Sequence, residues 1–78
     1  MTAAFLVQVS GPRLIRALEK SGFIQLRQSG SHVVMRHTTD LSRRAVVPVH
    51  GSKPIKPGTL RAILKGVGLS IEEIKELI

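Results

Sequence analysis

Cysteine, tryptophan and tyrosine are absent from these 78 residues, and Phe5 and Phe23 are the only aromatic side chains. Without thiols the chain forms neither disulfides nor thiolate metal sites. Two rings cannot build the platform on which many single-stranded RNA readers stack bases, so any nucleic-acid contact has to run through phosphate and ribose. Acids are scarce as well, five against twelve lysines and arginines, for a net charge of +7. Three of the five, Glu72, Glu73 and Glu76, sit together near the C-terminus, which leaves the remainder more basic still. That balance points to a nucleic acid or an acidic protein as partner. Long apolar runs are also missing. Ala3 to Val9 is apolar, but it is too short to span a bilayer and lacks the basic flank of a signal peptide. No membrane partner and a cytoplasmic location are therefore expected.

What is present suits one small domain over residues 1–78, with a core of Leu, Ile and Val. Ser10 caps a first helix that tolerates Pro12 in its opening turn, buries Leu14, Ile15, Leu18 and Ala17, and stops at Gly22. Phe23 then folds back onto that stripe. Three strands follow, at Phe23–Ser29, Ser31–His37 and Arg44–Val49, with Ser29-Gly30 as a turn and Thr38 to Arg43 as a polar loop. Short connections make an antiparallel meander the economical pairing. His50 to Gly58 reads as a stiff loop that adds nothing to the core. Pro57 opens a second helix with Leu60, Ile63, Leu64 and Val67 on one side, ended by Gly68. Ser70-Ile71-Glu72-Glu73 is a capping box for a short last helix with Ile71, Ile74 and Ile78 on one face. The expected architecture is α+β, with helices covering one face of a three-stranded antiparallel sheet and the other face open.

Strand alternation distributes the chemistry. If Val33 and Met35 pack under the helices, His32 and Arg36 emerge on the open face, with Gln25 and Arg27 beside them. Imidazole accepts and gives protons near neutrality. RNA carries its own nucleophile, the 2′-hydroxyl, so a base that takes this proton can start cleavage through a cyclic phosphate, with no cofactor and no metal. Nearby cations stabilise the charge that grows on the phosphate oxygens. His32 also fits a plainer reading, a strand-edge histidine bonded to the turn backbone. His37 is expected in solvent-facing loop. His50, ending the third strand, is either a second proton-transfer group or a loop-packing residue. Lys53, Lys56 and Arg61 surround the start of the second helix, which is either a phosphate seat or an ordinary helix start with solvated charges.

Gly22-Phe23, Arg27-Gln28-Ser29-Gly30-Ser31-His32, Arg36-His37, Val47-Pro48-Val49-His50 and Gly58-Thr59-Leu60-Arg61-Ala62-Ile63-Leu64 occur in an order and spacing that resembles the HicA-type toxins, from about Ser10 to Leu69. The resemblance implies a double-stranded-RNA-binding-domain-like α-β-β-β-α fold. It implies the toxin of a type II toxin–antitoxin system, an endoribonuclease that cleaves mRNA independently of the ribosome. It makes His32 the catalytic residue and a HicB-type antitoxin the partner that covers the site. Arg27, Ser31, Arg36, Lys53, Lys56 and Arg61 are the expected RNA contacts. The chain departs from the pattern at Met35, where the family usually carries an aromatic ring. A non-catalytic double-stranded RNA-binding module is the alternative, and a basic domain that docks an acidic protein is a third reading.

Overall fold

The computed structural model describes residues 8–78. Its elements are α1 (Gly11–Lys20), β1 (Phe23–Ser29), β2 (His32–His37), β3 (Arg44–Pro48), α2 (Pro57–Val67) and α3 (Ile71–Leu77). The α-β-β-β-α order of a double-stranded-RNA-binding-domain-like fold is present, with α3 appended. The expected apolar run Ala3–Val9 lies outside the described residues except for Gln8 and Val9, and Val9 is buried in the core.

Helix boundaries follow local chemistry. Ser10 accepts from the Arg13 N–H at 3.4 Å, and Gly22, at φ +91°, takes the left-handed turn into β1. The α1 stripe of Leu14, Ile15, Ala17 and Leu18 is buried as its spacing predicts. Gly68 ends α2 in the left-handed conformation. The capping box of α3 forms in both directions, between Ser70 and Glu73. Its buried face is shifted by one residue at the end: Ile74 is buried and Leu77 half-buried, whereas Ile78 is exposed beyond the last turn.

The strands pair antiparallel in the order β1-β2-β3. Phe23, Val33, Met35 and Val47 point under the helices and join Leu14, Leu18, Leu60, Ile63, Val67 and Ile74 in one buried cluster. Met35, in the family's aromatic position, is fully buried there. The loop after β3 contributes to that core after all. Ile55 is 7% exposed, and its N–H donates to the Val9 carbonyl at 2.8 Å, beside a bridge between Ser10 and Pro54. The prolines stiffen the loop, and one aliphatic side chain between them anchors it.

A β-bulge interrupts β1 between Gln25 and Arg27, leaving Leu26 as the extra residue. One added residue reverses the alternation beyond it. Gln25 therefore pairs with Met35 on the helix side, where its amide donates to Glu19 Oε2 at 3.4 Å, while Arg27 pairs with Val34 on the open side. The placing of Gln25 on the open face is thus corrected, and Ile24, paired with Arg36, stands there instead.

Candidate functional site

Directly paired residues of neighbouring strands project to the same face. By that rule the open face carries Ile24, Arg27 and Ser29 from β1, His32, Val34 and Arg36 from β2, and Arg44, Val46 and Pro48 from β3. His32 opens β2 directly after the Gly30 turn, where φ is +58°, and its side chain is exposed. Its cross-strand neighbours are Ser29 and Pro48. Ser31, half-buried in the turn, ties this corner to the next loop through its carbonyl, which accepts from the Val49 N–H at 2.6 Å. The imidazole is thus carried by a short, well-tied strand rather than a loose loop.

A cleft of about 460 Å³ adjoins this corner, lined by Pro48, His50, Lys53, Pro54, Ile55, Lys56 and Thr59. Pro48 is shared: it is the cross-strand partner of His32 and a wall of the cleft. The floor is the start of α2, where Lys56 stands at the cap position without a side-chain capping bond. The N–H groups of Gly58 and Thr59 precede the first helical bond, from Leu60 to the Lys56 carbonyl. Uncapped N–H groups, the helix dipole and two lysines together favour an anion. The third expected member of this group does not join it. Arg61 lines a separate groove with Leu60, Leu64, Lys65 and Leu69.

The remaining histidines part company. His50 lies two residues past the end of β3, exposed, in the cleft wall. His37 is not in solvent-facing loop. It closes β2 on the helix side, half-buried, with its ring edge-on to Phe23 at 5.1 Å. Its Nδ1 accepts from the N–H groups of Thr39 at 3.2 Å and Asp40 at 3.1 Å, which places the ring proton on Nε2. Nδ1 is thereby built into the β2–β3 turn.

Among the described residues, no three histidine or carboxylate side chains gather closely enough to hold a metal ion. The titratable groups with shifted acidity lie off the open face. Hydrogen bonds from Ser42, the hydroxyl at 2.7 Å foremost, hold the Asp40 carboxyl below its usual range. The Ser70 N–H does the same for Glu73.

A comparison with protein-family models matches residues 11–69 to the family described as HicA toxin of bacterial toxin-antitoxin. The chain belongs to the HicA toxin family. No match was found among curated proteins. The HicA assignment makes this chain the toxin of a toxin–antitoxin pair, with an antitoxin as partner. No described helix is long and apolar enough to cross a membrane.

Within the HicA domain, the structure brings His32, Arg27 and Arg36 onto one face and sets Lys53 and Lys56 in the adjoining cleft. Two further side chains of this surface are not among the expected RNA contacts. Arg44 is paired with Arg36, a placement readable from the alternation Arg44, Val46, Pro48 against the core positions Ala45 and Val47. Thr59, at the floor of the cleft, carries no signal beyond its position in the first turn of α2.

Proposed function

We propose that this toxin is an endoribonuclease that cleaves mRNA with His32 as general base, independently of metal and of the ribosome. The observation that carries the reading is the position of His32: exposed on a face of the sheet where strand pairing places no carboxylate among the described residues, next to a cationic cleft. His32 takes the proton of a ribose 2′-hydroxyl. The 2′-oxygen attacks the adjacent phosphorus, the bond to the 5′-oxygen breaks, and a 2′,3′-cyclic phosphate and a 5′-hydroxyl result. The leaving 5′-oxygen needs a proton, and in this reading His50, which lines the adjoining cleft, supplies it. His37 is committed to its turn on the other face.

Arg27, Arg36, Ser31, Lys53 and Lys56 contact the phosphates, and Arg61 contributes from the outer side of α2. The strand is read through its backbone, in keeping with a chain that has two aromatic rings. The antitoxin is of the HicB type and acts by covering the face that holds His32.

Induced expression of the wild type should arrest growth and shorten cellular mRNA. His32→Ala should be folded and harmless. Equal toxicity of the two proteins would remove His32 from the mechanism.

A further inference from the structure

The open face also holds a pair of arginines that no contact among the described residues explains. Arg36 and Arg44 are direct cross-strand partners on the central and edge strands. Like charges directly opposite one another destabilise a sheet. Every other residue that pairing places on this face is apolar, hydroxylic or basic. The five acids lie elsewhere: Glu19 on α1, Asp40 in the β2–β3 loop, and Glu72, Glu73 and Glu76 on α3. Within the pair, Arg36 Nε is buried and has no hydrogen-bond partner among the described residues. A buried donor without an acceptor costs free energy, and a cation adds to that cost.

Neighbouring structure fixes the pair in place. Arg36 has Ile24 as its other cross-strand neighbour, a side chain that offers no acceptor. Behind Arg44, α2 approaches so closely that a Cβ on Gly66 would stand 2.5 Å from the Arg44 carbonyl oxygen. Held backbones, paired guanidinium groups and an orphaned donor describe a site for an anion with several acceptor oxygens.

We propose that Arg36 and Arg44 together bind a backbone phosphate of the RNA strand, away from the scissile one. The proposal rests on the nuclease reading and extends it to the path of the substrate. Arg36 follows His32 by four positions in β2, a separation of about 13 Å at the rise of a strand. One phosphate sits at His32 while a second is held at the arginine pair, so the pair fixes the strand's register over the base. The apolar side chains between them, Val34 and Val46, exclude water from the span without reading sequence.

The test is the salt dependence of binding to a single-stranded oligouridylate, in a His32→Ala background to prevent turnover. Arg44→Gln should lower the slope of log affinity against log salt by about 0.7, the value for one neutralised phosphate on a single strand. Its melting temperature should not fall, because a like-charge pair is relieved, and Arg44→Lys should restore the slope. An unchanged slope for Arg44→Gln, with the parent binding normally, would overturn the phosphate site and leave the nuclease reading intact. Absence of binding by the parent would overturn both. If Arg44→Gln loses the antitoxin but keeps the RNA slope, the pair belongs to the protein partner and the proposal fails.

Discussion

His32 and His37 open and close the same strand, yet the pleat and the local contacts give them opposite surroundings. His32 is presented on the open face, with Ser29 and Pro48 beside it. His37 faces the helices, where Phe23 and two backbone N–H groups hold it. His37→Ala should therefore weaken the fold by roughly 0.5–1.5 kcal/mol as the ring pair disappears, while the folded fraction cleaves at the wild-type rate. Urea denaturation and an RNA cleavage assay on the same sample separate the two effects. Gly22 makes a sharper test of this corner. It sits at φ +91°, and an added Cβ would stand 3.0 Å from His37 Nε2. Gly22→Ala should cost about 1–3 kcal/mol, read as a lower urea midpoint at unchanged slope.

At the scale of the elements, punctuation is the legible part. Ser10, Gly22, Pro57, Gly68 and the Ser70–Glu73 box each mark a boundary by a mechanism local to a few residues, and each boundary is where it should be. Features set by partners distant in sequence are the ones that alternation and spacing do not reveal. Nothing in Phe23–Ser29 announces the bulge at Leu26, because a bulge exists only relative to the strand opposite, and Gln25 takes the other face because of it. Ile55 reads as a loop residue until Val9 arrives to pair with it. Similarly, Lys53, Lys56 and Arg61 form a group by proximity in sequence, while helical rotation carries Arg61 to another groove. The local devices have measurable consequences of their own. Ser70→Ala should destabilise the protein by about 1 kcal/mol by removing the cap. Glu73 is held below its ordinary carboxylate value by the Ser70 N–H, so its contribution is complete above the normal carboxylate range. That contribution is lost as pH falls through the lowered folded-state value. Glu73→Gln, which can still accept the Ser70 bond, should melt near the wild-type temperature at neutral pH and decline less steeply in acid.

Across the whole molecule, charge is sorted by surface. Most of the acids lie on α3, the sheet face carries arginine and histidine, and the two cleft lysines adjoin that face. A polyanion approaching this field is steered toward the side that holds His32 and away from the acidic helix. Affinity for RNA should therefore fall steeply with salt, and Lys53→Gln with Lys56→Gln should flatten the fall by about 0.7 for each phosphate that is no longer held. Family membership brings an antitoxin to the molecule, and in the proposed reading the chemistry turns on one ring. The most direct measurement is cleavage of a defined RNA by purified protein in the presence of a chelator, with the product ends identified. Wild-type protein should give 2′,3′-cyclic phosphate and 5′-hydroxyl ends, His32→Ala should be slower by roughly 10²–10⁴-fold, and a single 2′-deoxy residue at the cut position should block the reaction. Cleavage that stops with the chelator, leaves 3′-hydroxyl ends, or proceeds equally in His32→Ala would contradict the account.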